Sequence, residues 1–261
     1  MCEKRLHLSG IFRKLAVPIA FHMKKLVISL LVAALSAAVF TPAQAQDWPG
    51  FNRYAEKNAE AKAITPTLPR VILIGDSITE GWYRHHQEFF TSHSYLGRGI
   101  SGQVSTQMLA RFSEDVIALA PKVVVINAGT NDVAENQGPY NEDRTFGSII
   151  AMVRLAQANG IKPIMTSVLP AARFKWRPSV TDGAPKIAAL NARLQAFAKE
   201  NGLIYVDYYT PLVVGEEKAL NSAYSNDGVH PTRDGYLVME PLVVEAINKA
   251  LSSKKYGRLK K

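Results

Sequence analysis

The sequence predicts an α/β fold in which helices cover both faces of a parallel β-sheet. Short apolar runs rich in valine and isoleucine alternate with longer segments whose apolar residues recur every three or four positions. Strands that alternate with helices are joined by crossovers, and such crossovers join parallel strands. Hydrophobic residues make up 47% of the chain and charged residues 20%, a composition that supports one substantial core.

Five segments are predicted as strands. Four are apolar runs bounded by glycine, proline or aspartate, and they are typical of buried parallel strands. A fifth segment is a weaker candidate. The four runs are 71–75, 122–128, 162–169 and 204–207, and the weaker candidate is 95–99.

Helices are predicted between these strands and at the end of the chain. Segments 103–118, 141–159 and 184–201 have the helical spacing, and two of them end at Asn-Gly, a common helix stop. Segment 232–251 is predicted as a final helix that closes the fold. Because no internal repeat is evident, a solenoid is not favoured.

The beginning of the chain has the pattern of a signal peptide. Residues 23–45 contain two lysines, an apolar run over 26–40 and the small-residue ending Ala-Gln-Ala, which predict cleavage near Ala45. The alternative is a membrane anchor, but the run is shorter than the roughly 20 residues that a spanning helix needs. We expect a periplasmic or secreted protein, and Met23 is a candidate for its true start.

The rest of the chain is expected to divide into three parts. A polar connector over 46–69 precedes a single folded domain over 70–251, and a basic tail follows over 252–261. The region 1–45 carries +5 of the formal net charge of +9, and six further cations lie between Lys249 and the end. The predicted domain is therefore close to neutral, and nucleic-acid binding is not predicted.

Cysteine and metal chemistry are not expected in the domain. The single cysteine, Cys2, lies in the predicted leader, so neither a disulfide nor a cysteine-held metal is predicted. His85, His86 and His93 lie together in a polar stretch without a spacing that matches a second metal-binding segment.

A serine follows the first predicted strand, in Gly75-Asp76-Ser77-Ile78. A hydroxyl at a strand-to-helix turn lies beside free backbone N–H groups, which favour developing negative charge. The alternative is structural: Ser77 caps the next helix, and Glu80 completes a capping box. The motif alone does not decide between these roles.

Two further loops carry candidate hydrogen-bond donors. The run ending at residue 128 leads into Gly129-Thr130-Asn131-Asp132, where an asparagine amide could donate to an oxyanion, although asparagine and aspartate are also ordinary turn formers. Gly99-Ile100-Ser101-Gly102 follows the weaker strand. A glycine there could let a backbone N–H approach a substrate closely. The alternative is that it only permits an unusual backbone dihedral angle.

The segment Asp227-Gly228-Val229-His230-Pro231 precedes the last helix. Its spacing lets the Asp227 carboxylate orient the His230 imidazole, which could then remove the proton of a serine hydroxyl. A helix cap beside a surface histidine is the alternative.

Taken in order, Gly-Asp-Ser-Ile, Gly-Ile-Ser-Gly, Gly-Thr-Asn-Asp and Asp-Gly-Val-His-Pro closely resemble the four sequence blocks of the SGNH hydrolases, also called the GDSL esterase/lipase family. The resemblance implies a flavodoxin-like three-layer α/β/α sandwich with a five-stranded parallel sheet, and no metal or cofactor. It implies that Ser77 is the nucleophile, His230 the base and Asp227 its orienting acid. The oxyanion hole would be formed by Ser77, Gly102 and Asn131.

The substrate is less constrained by the sequence. Gly102-Gln103 and the Gly-Thr-Asn block look most like the acetylhydrolase and carbohydrate-esterase branch. In the loop after the fourth strand, Trp176 and Arg177 could contact a sugar, or the indole could pack on the helix below. Asp76 is a further candidate for substrate binding. We expect acetyl-ester hydrolysis on glycans, with a lipid esterase, an acyltransferase or a non-catalytic glycan-binding protein as alternatives.

Overall fold

A computed structural model describes residues 47–254 and residue 256, and a five-stranded parallel sheet lies at its centre. The predicted signal region and most of the basic tail lie outside the described residues. The strands are β1 (Val71–Gly75), β2 (Tyr95–Gly99), β3 (Val123–Ile126), β4 (Lys162–Thr166) and β5 (Ile204–Val206). Their order is β2-β1-β3-β4-β5, and all four pairings are parallel.

Helices follow most of the strands. In chain order they are α1 (Ala55–Ala63), α2 (Ser77–His85), α3 (Gln87–His93), α4 (Ser105–Asp115), α5 (Thr130–Val133), α6 (Glu142–Ala158), α7 (Gly183–Glu200), α8 (Tyr209–Leu212) and α9 (Arg233–Ser252). Two short 3₁₀ turns, Phe51–Arg53 and Ile117–Leu119, and a small antiparallel pair, β6 (Val213–Val214) with β7 (Ala219–Leu220), complete the order. Over the described part of the chain, no helix combines the length and apolar character needed to span a membrane.

The sheet separates two apolar layers, which confirms the predicted three-layer sandwich. Alternate residues of a strand point to opposite faces, so Ile72 and Ile74 of β1 lie in one layer while Val71 and Leu73 lie in the other. The first layer is completed by α4, α6 and α7, and the second by α2, α3 and α9. All five residues of β1 are buried, as expected for a strand covered on both faces.

The predicted strands β3 and β4 extend too far at their carboxyl ends. The sequence predicted 122–128 and 162–169, but pairing stops at Ile126 and Thr166. The following residues leave the sheet yet stay buried: Asn127 is 5% exposed and Leu169 is 1% exposed. Because Ala128, Val168 and Leu169 are buried and apolar like the residues of the strands, composition alone does not show where pairing stops.

Two helices that were not predicted lie in segments that are polar in the sequence. Helix α1 lies within the predicted connector, and Asn58 is its only buried residue. Helix α3 follows α2 and buries the adjacent residues Phe89 and Phe90. Neither helix has a continuous apolar stripe, which is the signal that predicted the longer helices.

Candidate active site

The candidate site lies at the carboxyl edge of the sheet, where the strand order changes direction between β1 and β3. In sheets of this type ligands bind at such a switch point. Ser77 begins α2 directly after β1, and Asn131 lies in α5 after β3. The close approach of β2 to α2 needs Gly99, because a Cβ there would lie 2.2 Å from the Glu80 nitrogen.

Ser77 and His230 are brought within hydrogen-bond distance although 153 residues separate them. The Ser77 Oγ atom lies 2.8 Å from His230 Nε2. Ser77 is not the cap of α2: that position belongs to Asp76, whose Oδ1 accepts the Ile78 N–H at 2.9 Å. Since the Ser77 side chain is not used in capping, its hydroxyl is available to the imidazole.

The alternative role for Glu80, completing a capping box with Ser77, is not observed, because the Glu80 carboxylate is bound elsewhere. Its carboxylate accepts hydrogen bonds from the Ser101 backbone N–H at 3.1 Å and from the Ser101 hydroxyl. It also pairs with Arg53 at 2.6 Å. Glu80 therefore ties the start of α2 to the loop that follows β2.

Asp227 holds His230 through both the side chain and the backbone. The Asp227 Oδ2 atom lies 2.6 Å from His230 Nδ1, while Oδ1 accepts the backbone N–H groups of His230 at 2.8 Å and Val229 at 2.9 Å. Gly228 supports this turn with a φ of 82°, a region that favours glycine. The three-residue spacing thus brings the carboxylate back onto the imidazole.

The electrostatics of this pair determine which imidazole nitrogen carries the proton. Partial burial works to raise the pKa of Asp227, but the hydrogen bonds from His230 and Val229 outweigh it and lower the pKa to about 2. An ionised carboxylate only accepts hydrogen bonds, so Nδ1 of His230 carries the hydrogen. In the neutral ring, Nε2 is then an acceptor facing the Ser77 hydroxyl.

Two further predicted donors lie nearby, Gly102 on the loop after β2 and Asn131 in the short helix α5. Gly102 is exposed and has a φ of 79°, and apart from its two chain neighbours no residue has a heavy atom within 4 Å of an ideal Cβ built on it. The Asn131 side chain is buried, and its Nδ2 donates to the Gln103 carbonyl at 3.1 Å. An amide nitrogen carries two hydrogens, so one Asn131 hydrogen remains for another acceptor.

The predicted substrate residues lie in different environments. Trp176 is 40% exposed, and its ring centroid lies 5.9 Å from that of His230. It also contacts Phe174 edge to face, so it has both a packed side and a solvent-facing side. Arg177 is exposed on the same loop, where its guanidinium donates to the Asn136 carbonyl at 3.4 Å.

Asp76 is fully buried and lies beneath the site. It is 0% exposed, one carboxylate oxygen caps α2, and burial raises its pKa to about 6. Its buried position supports the serine turn from within.

A buried polar network behind the site was not predicted. Arg111 is 0% exposed and donates to the Gly75 carbonyl at 2.9 Å and to Gln103 Oε1 at 2.6 Å. Gln103 in turn donates to the Pro49 carbonyl at 2.6 Å. This arginine therefore joins β1, the loop after β2 and the N-terminal segment. In the sequence, Arg111 falls in a segment with helical spacing, and a charged residue in such a segment ordinarily faces solvent.

A parallel α/β/α sandwich with serine, histidine and aspartate at its carboxyl edge is the arrangement of a serine-dependent ester hydrolase. The chain belongs to the GDSL-like lipase/acylhydrolase family, and the sequence model of that family matches residues 73–238. This confirms the resemblance read from the four sequence blocks.

Relatives of known structure and sequence agree with this assignment. A GDSL-like lipase from Bacteroides thetaiotaomicron is 56% identical, with a TM-score of 0.75 over 78% of this chain and 99% of that one. Thioesterase 1/protease 1/lysophospholipase L1 of Escherichia coli is 23% identical over 69% of this chain and 82% of its own. An uncharacterized lipoprotein of Bacillus subtilis, YqeF, is 26% identical over 38% of this chain, and the match spans 48% of the lipoprotein.

Proposed function

We propose that this esterase removes short acyl groups, in particular acetyl groups, from carbohydrates by forming an acyl-enzyme on Ser77. The single observation that carries the mechanism is the continuous hydrogen-bonded path from Ser77 Oγ to His230 Nε2 at 2.8 Å and from His230 Nδ1 to Asp227 at 2.6 Å. An unassisted serine hydroxyl is a weak nucleophile near neutral pH, and an adjacent base activates it.

The reaction follows from the roles of these three groups. His230 Nε2 accepts the Ser77 proton as Oγ attacks the ester carbonyl, and the protonated imidazole then gives that proton to the leaving alcohol. Water, deprotonated by His230 in the same way, then attacks the acyl carbon. The bond between that carbon and Ser77 Oγ breaks, Oγ takes back the proton from His230, and the acid is released. Asp227 stays ionised and stabilises the imidazolium that forms in each step.

The oxyanion of each tetrahedral intermediate needs donors that are already oriented. We assign this role to the backbone N–H groups of Ser77 and Gly102 and to the remaining N–H of Asn131. The Ser77 N–H belongs to the first turn of α2, where backbone donors have no partner within the helix. Three such donors would stabilise the negative charge of the oxyanion, and they would not have to reorient as the charge develops.

The substrate proposal rests on the rim beside His230. Trp176 presents a partly exposed indole next to the imidazole, and Arg177 adds a cation on the same loop. An aromatic face stacks well on a sugar ring, and a guanidinium binds hydroxyl or carboxylate oxygens. A second candidate is a lipid esterase, which is favoured by the similarity to the thioesterase and lysophospholipase of Escherichia coli.

Chain-length selectivity separates these two candidates. We expect kcat/KM on p-nitrophenyl esters to fall by about tenfold or more from acetate to octanoate, because a pocket shaped for one methyl group discriminates against added methylenes. The same enzyme is then assayed on acetylated xylan and on a lysophospholipid, with Ser77→Ala as the matched blank. Equal or faster hydrolysis of octanoate and lysophospholipid would instead favour the lipid esterase.

We also propose that the protein acts outside the cytoplasm, because residues 23–45 have the composition and ending of a secretory signal. Expression of the full chain in a bacterium should give a processed protein that begins at Gln46. N-terminal sequencing of the periplasmic or secreted fraction checks this. Recovery of the uncleaved chain from the cytoplasm would contradict it.

A further inference from the structure

Asn136 lies between the proposed oxyanion donor Asn131 and the rim residue Trp176. Its Oδ1 accepts the Trp176 indole N–H at 2.8 Å, and its Nδ2 donates to Asn131 Oδ1 at 2.7 Å. Asn131 Nδ2 then donates to the Gln103 carbonyl at 3.1 Å. The four groups form one hydrogen-bonded chain across the site, and Asn136 lies outside the sequence blocks that carry the family resemblance.

The two ends of this chain fix its direction. An indole N–H can only donate a hydrogen bond, and a backbone carbonyl can only accept one. Each asparagine amide has one donating end and one accepting end. With Trp176 donating at one end and Gln103 accepting at the other, only one orientation of Asn136 and Asn131 satisfies every contact.

This orientation matters for the reaction. A reversed Asn131 amide would place its oxygen against the Gln103 carbonyl and its nitrogen against the Asn136 nitrogen, so both hydrogen bonds would be lost. The reversed amide would also replace a donor by an acceptor at the place where the oxyanion forms. A donor contributes to catalysis there only if it is already oriented before charge develops.

Asn136 is well placed to hold that orientation. Its backbone N–H donates to the Asn131 carbonyl at 3.1 Å, and its carbonyl accepts from Arg177 at 3.4 Å. Its side-chain nitrogen also lies 3.4 Å from the Gly102 carbonyl, so one amide contacts the loops of two proposed oxyanion donors. Asn136 is only half-buried, so its replacement leaves the core intact.

We propose that Asn136 is a positioning residue that keeps the Asn131 amide in its donating orientation, and that the Trp176 N–H in turn fixes Asn136. This inference rests on the proposed acyl-transfer function. It also gives Trp176 a second role besides contact with the substrate, since the loop that borders the substrate is joined directly to the oxyanion hole.

Substitutions at Asn136 test the proposal through kcat on p-nitrophenyl acetate. Asn136→Asp removes the donor and places a carboxylate beside Asn131 Oδ1, which favours the reversed amide. We expect kcat to fall by about 30- to 100-fold, approaching the roughly hundred- to thousand-fold loss expected for Asn131→Ala, with KM changed less than about threefold. Asn136→Ala lacks the charge, and we expect a loss of about tenfold.

The double variants separate positioning from a direct effect. If Asn136 acts through Asn131, the losses of Asn131→Ala and Asn136→Asp do not multiply, and the double variant is no slower than Asn131→Ala within about threefold. A carboxylate that acted on the oxyanion through space would slow Asn131→Ala further. Melting temperatures of all variants show whether the fold is retained.

A pair of tryptophan variants tests the other end of the chain and does not depend on Asn136 substitutions. Trp176→Phe keeps an aromatic ring but removes the N–H that orients Asn136, and we expect kcat to fall about three- to tenfold. Trp48→Phe is the matched control: its indole N–H donates at 3.5 Å to Gln137, the next residue along the chain. The control should keep the kcat of the wild-type enzyme.

The outcomes are distinct from those that test the function itself. Activity that survives in Ser77→Ala would overturn the acyl-enzyme mechanism. If Ser77→Ala is inactive and Asn131→Ala is slow, yet the Asn136 variants and Trp176→Phe keep wild-type kcat, the positioning role is wrong while the function stands. Losses that multiply in the double variant would likewise contradict it.

Discussion

Replacing Ser77 by alanine should lower kcat by about five to six orders of magnitude, because groups that act as a unit lose nearly all of their effect when the nucleophile is removed. The variant keeps the oxyanion donors and His230, yet it lacks the oxygen that forms the covalent bond. The measurement is kcat on p-nitrophenyl acetate, with a melting curve to show that the fold is retained.

The matched control for this change is Ser101→Ala. Ser101 lies on the loop after β2 and its hydroxyl donates to Glu80, so the substitution removes a serine hydroxyl from the same edge of the sheet. We expect it to stay within about tenfold of the wild-type kcat, since it removes no group from the proton-transfer path. A Ser77→Ala enzyme as active as this control would show that another residue attacks the ester.

Replacing Asp227 by asparagine should lower kcat by about ten-thousandfold, as expected when an orienting carboxylate is lost from such a triad. Asparagine nearly preserves the shape but carries no charge, and its amide can donate to His230 Nδ1. The imidazole would then hold its hydrogen on Nε2, where it cannot accept the Ser77 proton. The measurement is kcat on p-nitrophenyl acetate at neutral pH.

Asp207→Asn is a suitable control for the carboxylate. Asp207 follows β5, and its oxygens accept the Thr210 N–H at 3.0 Å and the Thr210 hydroxyl at 2.5 Å. The substitution changes the net charge by the same amount without touching the imidazole. Similar losses in both variants would mean that charge, and not the His230 tautomer, sets the rate.

The lowered pKa of Asp227 also gives the sign of its contribution to stability. A carboxyl group whose pKa falls on folding stabilises the folded state when it is ionised, which holds above its ordinary value of 3.8. That contribution is lost as the pH falls from about 4 through the folded pKa of about 2. Asp227 therefore remains ionised at the pH values where esterases are assayed.

The strands of the sheet were predictable because most of them are short apolar runs that differ in composition from the segments around them. The bounds predicted for β1 and β2 agree with the structure, and in both cases a glycine closes the strand. The ends of β3 and β4 were not predictable, because the residues after Ile126 and Thr166 stay buried and include the apolar side chains of Ala128, Val168 and Leu169. Strand pairing is a long-range property, and in β3 and β4 no glycine lies at the point where it stops.

The site was predictable where the order of the motifs carried the information. Ser77, Asp227 and His230 were identified as a set, and the structure brings their side chains together. The local sequence could not decide whether Ser77 caps α2 or acts as the nucleophile, because serine is a strong N-cap. In the structure Asp76 caps α2 and Ser77 contacts His230, and these two observations separate the roles.

Asn136 and Arg111, which contact residues distant in the chain, were not identified from the sequence. Asn136 lies in a polar loop, and Arg111 lies on a helix where a charge ordinarily faces solvent. Their importance depends on partners that are distant in the chain, such as Trp176 for Asn136 and Gly75 for Arg111. No spacing rule connects these pairs, so they emerge only from the folded structure.

Covalent labelling with a fluorophosphonate is the most direct test of the nucleophile. We expect one adduct per chain by intact-mass measurement, located on the peptide that contains Ser77, with hydrolysis lost in proportion to labelling. His230→Ala should label far more slowly, because the hydroxyl then lacks its base. An adduct on another residue, or full ester hydrolysis by a chain that takes up no label, would contradict an acyl-enzyme at Ser77.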